Sequence, residues 1–293
     1  MSVLVGLIVM LGMLVIVPLG LRLLEAPGLP TARRLWPPGA VAGAVCLWLP
    51  RGAPATTLAL CYALGAAGLL LCAGLRVLRD RSLTPYDLAV ATALGCPAIA
   101  ALALVAERAG HPLFGFGLGI LALTVPHFHF AGFAAALVAG LVCRAAAGPL
   151  ARFAALSVPA GTLLVLLGYF VDDWAELAGA LVLTAGMWAV ALVTRREVSP
   201  GGDRTTRALL TVAAAVLVVT MLLALWWALG EATGLPHPGL AWMAATHGLG
   251  NALGFALCSV LAWLRLGGAP GLRPAGSGRP AGSGTAPAGA APR

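Results

Sequence analysis

The chain has 293 residues, of which 60% belong to the hydrophobic set and only 10% are charged. A soluble domain usually carries about 25% charged residues, and the mean hydropathy of +0.97 excludes a water-soluble globule. The formal net charge of +8 arises because all 18 basic residues are arginine, against ten acids. Most arginines flank apolar runs, which indicates contact with anionic lipid headgroups rather than with nucleic acid.

The apolar runs, taken in chain order, predict the membrane-spanning helices. About 20 apolar residues are needed to cross the hydrocarbon layer, and the predicted spans are 2–21, 38–50, 55–75, 86–106, 113–143, 153–171, 174–194, 208–229 and 240–264. The second run is short. The fifth is long and contains Pro126, so it is one kinked helix or a partial helix followed by a full one. We expect an all-α, polytopic transmembrane helical bundle of about 8–9 spans over residues 1–266.

The distribution of arginine predicts the orientation of this bundle. With nine spans and the C-terminus inside, all but two of the 18 arginines, Arg51 and Arg108, lie in inner segments. The positive-inside rule therefore predicts a multi-pass cell-membrane protein with its N-terminus out and its C-terminus in. The first run has no basic region and no cleavage site, so it is typical of a membrane helix rather than of a signal peptide. Residues 267–293 hold only Gly, Pro, Ala, Ser, Arg, Leu and Thr and predict a disordered cytoplasmic tail.

Two histidines lie near the middle of the fifth run, in the sequence TVPHFHFAGF at 124–133. Ionisable groups at membrane depth are costly and are often functional. Residues two apart on a regular helix point in nearly opposite directions. His127 and His129 therefore face one cavity only if the chain unwinds at Pro126. The alternative is that one or both form hydrogen bonds with neighbouring helices.

The last span contains a second polar group, His247 and Asn251, in the sequence HGLGNALGF at 247–255. These two residues are four apart and share one face of a helix. Gly250 and Gly254 on the same segment permit another helix to approach closely. The pair either belongs to a site or joins two helices, and both alternatives place this face inward.

Three carboxyls, Asp172, Asp173 and Glu176, lie at the junction of the sixth and seventh spans. They form a solvated loop, or one of them lies in a dry pocket where it can keep a proton and act as an acid. We expect these acids to share one outward-leaning cavity with His127, His129, His247 and Asn251. The expected substrate-contacting aromatics are Tyr169, Trp174, Phe130, Phe133 and Trp242.

The blocks HFHFAGF and HGxxNALGF resemble the signature blocks of the YndJ-like family of bacterial membrane proteins. The resemblance implies a multi-spanning bundle and highlights the three histidines and Asn251, and it implies no activity. A weaker likeness, of type only, is to small integral-membrane terpene cyclases of meroterpenoid pathways. Those are compact bundles that use carboxylic acids without a metal, and no linear motif of theirs matches this chain.

The favoured hypothesis is a metal-independent, proton-initiated cyclisation of a lipophilic isoprenoid that enters from the bilayer, with no cofactor. A carboxylic acid would protonate the substrate, aromatic faces would stabilise the cation, and a histidine would take the final proton. The sequence lacks the motifs of nucleotide, zinc-protease and serine-hydrolase sites, and the Asp-rich motifs of magnesium–diphosphate chemistry. The alternatives are a transporter or sensor with a His/Asn/carboxyl site, and a metal protein that uses the three histidines as ligands.

Overall fold

The structure is a computed structural model that describes residues 2–146 and 148–267. It consists of nine helices, α1 (Val3–Leu21), α2 (Leu29–Cys46), α3 (Ala53–Asp80), α4 (Pro85–Ala109), α5 (Leu118–Ala145), α6 (Pro149–Val171), α7 (Asp173–Gly201), α8 (Arg204–Thr233) and α9 (Leu240–Gly267). Within these residues there is no β-strand. Eight of the nine described helices are long and apolar enough to cross a membrane. The prediction of an all-α, multi-pass membrane bundle is therefore confirmed.

The described helix that is not apolar enough to count as a membrane span is α2, which lies where the short second span was predicted. The helix begins at Leu29 and ends at Cys46, whereas the prediction was 38–50. Pro30 lies in the first turn of α2, where a backbone N–H has no partner within the helix and its absence costs nothing. Proline therefore favours a helix start at this point, although polar residues follow it. It continues through Pro37 and Pro38. Hydropathy alone could not locate this start, because the first turns of α2 are not apolar.

Successive helices run in opposite directions, because the connections between them are short. One end of the bundle holds Asp172 and the loop between α8 and α9, and we call it the acidic end. The opposite end holds most of the arginines, and we call it the arginine end. Ser2 lies at the acidic end and Gly267 at the arginine end, as an odd number of helices requires. Which end faces the cytoplasm remains a prediction.

The helix at the centre of the bundle is α5, the most buried of the eight apolar helices. It is one continuous helix, so the predicted alternative of a partial helix followed by a full one is wrong. After Pro126 it widens into π-type turns over Phe128–Ala134. Similar turns occur in α1 and α9. Such local widening is frequent at functional sites.

Helices α6 and α7 form an unusually close antiparallel pair. A Cβ atom built on Gly161 would lie 2.5 Å from the backbone of Leu183, and one on Gly168 would lie 2.4 Å from the backbone of Glu176. Gly179 makes the reciprocal approach to Val165, at 2.5 Å. Only glycine permits these distances. The acidic turn between the two helices is therefore held firmly in place.

The two arginines at the acidic end both pair with one acid. Nη2 of Arg51 lies 2.9 Å from Oε1 of Glu107, and the Arg108 guanidinium also contacts the Glu107 carboxylate. Nη1 of Arg108 donates to the carbonyls of Cys46 and Leu49, both at 3.3 Å, at the end of α2. Arg108 therefore satisfies acceptors that the last turn of a helix leaves free.

The predicted disordered tail, residues 267–293, lies outside the described residues except for Gly267, which ends α9.

Candidate functional site

A cavity of about 760 Å³ opens into the half of the bundle that is nearer the acidic end. Its walls come from α1, α5, α6, α7, α8 and α9, and from the loop that joins α8 to α9. The deep part is apolar and includes Leu183, Met187, Met221 and Phe255. The volume falls within the range of about 300–1,000 Å³ that is typical of small-molecule sites.

Most of the predicted site residues lie on the wall of this cavity. The structure brings together the three junction acids, one or two polar residues from each sequence block, and two of the predicted aromatics. These residues are Asp172, Asp173, Glu176, His127, His247, Asn251, Tyr169 and Phe130. Glu231 and His237 also line it, and their side chains are 3.0 Å apart, from Oε1 to Nε2. Among the described residues, none that lines the cavity is arginine, although arginine supplies all 18 Lys and Arg side chains of the protein.

The three junction acids have different surroundings. Oδ1 of Asp172 accepts a hydrogen bond of 2.8 Å from the backbone N–H of Ala175, so Asp172 is the N-cap of α7. Glu176, one turn further along, is only 7% exposed and forms no ion pair in the described part of the chain. Its polar neighbours include the Tyr169 hydroxyl and the carboxyls of Asp173 and Glu231. Burying an unpaired carboxylate costs free energy that the neutral acid avoids, so Glu176 is the best placed of the three to donate a proton.

His127 is the histidine whose ring nitrogens are free. Among residues 2–146 and 148–267 no side chain or backbone group forms a hydrogen bond with its imidazole, which lines the cavity and meets Phe128 edge-on at 5.5 Å between ring centroids. A neutral imidazole without partners can accept a proton from a ligand or donate one to it.

His247, by contrast, belongs to a closed hydrogen-bond network with Asn251 and Thr220. Its Nδ1–H donates to the carbonyl oxygen of Thr220 at 2.8 Å, because that oxygen can only accept. Nε2 must then be the acceptor, and Nδ2 of Asn251 donates to it at 3.1 Å. The Thr220 hydroxyl lies 2.8 Å from Oδ1 of Asn251 and 2.9 Å from the carbonyl oxygen of Val216, and its one proton is shared between these two acceptors. The network joins α9 to α8 and fixes the tautomer of His247.

His129 lies away from the cavity and is fully buried. Its Nδ1–H donates to the carbonyl oxygen of Val125 at 2.7 Å, and the Tyr62 hydroxyl donates to Nε2 at 2.9 Å. The helix continues past Pro126 without unwinding, so the two histidines point to different sides. Both nitrogens of His129 are therefore occupied within the core.

Three of the predicted aromatics also lie outside the cavity lining. Phe133 is fully buried and packs at Gly20, where a Cβ atom would lie 2.7 Å from its ring. Trp174 and Trp242 are 60% and 46% exposed. Both tryptophans lie near the acidic end, where amphipathic rings commonly sit at the level of the lipid headgroups.

A model of the YndJ-like protein family matches residues 7–255. The chain belongs to the YndJ-like family. The match covers most of the bundle and both sequence blocks, 127–133 and 247–255. Comparisons with curated proteins and with solved structures found no match. Membership of the YndJ-like family is thus established by sequence, and the function has to be argued from the site.

The YndJ-like blocks divide between the cavity and the core. His127 and Phe130 of the first block face the cavity, whereas His129 and Phe133 pack within the bundle. The three histidines therefore do not form one set of ligands. In the part of the chain that the structure describes, no group of three or more His, Cys, Asp or Glu side chains is placed to hold a metal ion.

Sequence reasoning missed five contributors to these sites, which are Tyr62, Thr220, Trp227, Glu231 and His237. Tyr62 and Thr220 are polar residues within apolar runs, which is the feature that drew attention to the histidines. Glu231 and His237 look like loop residues in the sequence, and only the closure of the bundle brings them to the junction acids.

Proposed function

We propose that the protein is an integral membrane enzyme that starts the cyclisation of a lipophilic isoprenoid by proton transfer, an isomerase of the terpene or meroterpenoid cyclase type. The observation that supports this proposal is one cavity that joins a buried, unpaired carboxyl at Glu176 with a free imidazole at His127 between apolar walls. An acid, a base and a dry surface are what such a reaction requires.

The proposed reaction is balanced without a cofactor. Glu176 donates a proton to one carbon of a terminal trisubstituted alkene, and the other carbon becomes a tertiary cation. An internal alkene of the same chain attacks that cation, which forms the ring bond and moves the positive charge along the chain. His127 removes a proton from a carbon next to the final cation, and a new alkene forms. The proton returns to Glu176 through solvent at the acidic end, so the product is an isomer of the substrate.

The described residues that line the cavity include no arginine, and this narrows the substrate class. Phosphate groups are normally bound by arginine, lysine, backbone donors or metal ions. The carboxylates of Asp172, Asp173 and Glu231, by contrast, would repel a diphosphate. The proposed substrate is therefore an uncharged polyprenyl chain that enters from the bilayer.

The test uses the purified protein reconstituted in lipid and a panel of uncharged polyprenyl substrates in H₂O and in D₂O. The expected result is a cyclic isomer that gains one deuterium in D₂O, because the initiating proton comes from the enzyme and exchanges with solvent. Glu176→Gln should lower turnover by about 10²–10⁴-fold. The matched control is Glu197→Gln, near the arginine end of the same helix, which should retain full turnover. A panel without any cyclised product would refute the proposal.

A second candidate is a proton-coupled transporter, and one observation favours it. The cavity lies in the acidic half of the bundle, while the arginine half contains buried side chains such as Val138, Leu141 and Val158. A cavity in one half of the bundle is what a single state of an alternating-access cycle presents. Proteoliposomes with an internal pH dye would show ligand-dependent proton entry for a transporter, and none for a cyclase.

We also propose that the arginine end faces the cytoplasm in the cell membrane and contacts anionic lipids there. A reporter fused after Arg265 should then give a cytoplasmic signal, and one inserted near Asp172 an external signal. The opposite pair of signals would overturn this orientation.

A further inference from the structure

The half of the cavity nearer the acidic end concentrates negative charge in a protein that is otherwise basic. Asp172, Asp173, Glu176 and Glu231 all line it, and in the described part of the chain none of the lining residues is arginine. Glu231 is opposed by a histidine that is charged only when it is protonated. Glu176, 7% exposed, has no cationic partner in the described residues. Apart from the cavity histidines, the described residues that line this part of the cavity supply no positive charge, so a cationic ligand or ions in solution would have to offset these acids.

Aromatic rings line the same part of the cavity. Tyr169, Phe170 and Trp227 contribute to its wall. Phe116, from the loop before α5, holds two of them in place, with ring centroids 5.0 Å from Phe170 and 6.2 Å from Tyr169, both edge-on. Aromatic faces attract organic cations, most strongly where water is excluded, and several such rings together bind quaternary ammonium groups.

We infer that this acidic and aromatic part of the cavity binds the positively charged head of an amphiphile, a quaternary ammonium or protonated amine whose apolar chain fills the deep part of the cavity. Carboxylates near aromatic rings supply the attraction for the head. Leu183, Met187 and Phe255 supply an apolar surface for the chain. The same charges disfavour an anionic amphiphile of equal length, because like charges brought together in a dry site repel strongly.

This inference goes beyond the proposed function and does not depend on it, since binding requires no reaction. The two are connected in one respect: a carbocation formed during cyclisation would meet the same carboxylates and rings. An ammonium compound with an isoprenoid-like chain would then bind more tightly than the neutral substrate does, as transition-state mimics do.

The test is calorimetric titration of the protein in nanodiscs of zwitterionic lipid, with empty nanodiscs as the blank. The probes share one chain and differ in their heads: octyltrimethylammonium, octyl sulfonate and octanol. We expect the ammonium probe to bind saturably and the sulfonate probe to have a Kd at least about tenfold higher. Raising the ionic strength should weaken the ammonium probe and leave octanol unchanged.

The variants are Asp173→Asn, Glu231→Gln and the control Glu197→Gln. Each of the first two should weaken ammonium binding by about tenfold, while the control, distant on the same helix as Asp173, should match the unaltered protein. Thermal unfolding tests whether each variant remains folded. Two carboxyl variants are used so that the test still holds if one of them does not fold. The inference is overturned if the sulfonate binds as tightly as the ammonium probe, if neither carboxyl variant weakens binding, or if no probe saturates. Ammonium binding without any cyclised product would refute the proposed function alone.

Discussion

The three histidines at membrane depth should respond very differently to the same substitution, phenylalanine, which keeps an aromatic ring of similar size. His129→Phe removes the acceptor of the Tyr62 hydroxyl, which is fully buried. An orphaned buried polar group costs about 1–3 kcal/mol, so this variant should be the least stable of the three. His247→Phe breaks two bonds of a partly buried network between α8 and α9. Hydrogen bonds between membrane helices contribute about 0.6–2 kcal/mol.

His127→Phe breaks no hydrogen bond within the described residues, so its free energy of unfolding should change by less than about 0.5 kcal/mol. Turnover, in contrast, should fall by about 10²–10⁴-fold, because the imidazole is the proposed base. The assay is thermal unfolding in one detergent beside turnover of the reconstituted protein. The expected order of destabilisation is His129→Phe, then His247→Phe, then His127→Phe.

A double-mutant cycle separates the orphaned hydroxyl from the change in packing. Tyr62→Phe removes the hydroxyl that His129→Phe would leave without a partner. The double variant should therefore be more stable than the sum of the two single effects predicts, by about 0.5–3 kcal/mol. The reasoning is refuted if His129→Phe unfolds at the same temperature as the unaltered protein, or if His127→Phe is as unstable as His129→Phe.

Three further predictions concern helix contacts and caps. Gly168→Ala should destabilise the protein by about 1–3 kcal/mol, because the new Cβ would lie 2.4 Å from the α7 backbone. Gly74→Ala on α3 is the control, since nothing lies within 4 Å of its Cβ position, and thermal unfolding compares the two variants. Asp172→Ala should cost about 1 kcal/mol through the lost N-cap of α7, and Asp172→Asn should restore most of it in the same assay. Hydrogen bonds from Thr206, with Arg265, lower the pKa of Asp203 to about 2. Its stabilising effect should thus be complete above about pH 4 and lost as the pH falls to about 2, so acid titration should show the stability difference from Asp203→Asn disappearing there.

The spans were predictable because burial in lipid requires long apolar runs, and eight of the nine helices have them. The start of α2 was not predictable from hydropathy, because a turn that begins with proline determines it. The site was predictable in kind: His127, Glu176 and Asn251 share one cavity. The separation of His127 from His129 was one of two alternatives, and only the continuity of α5 past Pro126 decides between them.

The partners of the site residues were beyond sequence reasoning. Thr220 lies 27 positions from His247, and Tyr62 lies 67 positions from His129. Such pairs depend on how distant helices pack, which hydropathy does not encode. His247 is an example. The sequence made it a candidate site residue, and the structure shows that both of its ring nitrogens form hydrogen bonds, which favours a positioning role.

The contact of Glu107 with both Arg51 and Arg108 has a consequence for how this family can change. Arg108 is 3% exposed and Glu107 is fully buried, so loss of Glu107 alone leaves the Arg108 guanidinium without its carboxylate inside the bundle, which costs several kcal/mol. Loss of Arg108 alone leaves Glu107 with only the more exposed Arg51 as its cationic partner. Substitutions at positions 107 and 108 should therefore occur together. An alignment of relatives should show positions 107 and 108 covarying, and position 51, which is more exposed, varying more freely.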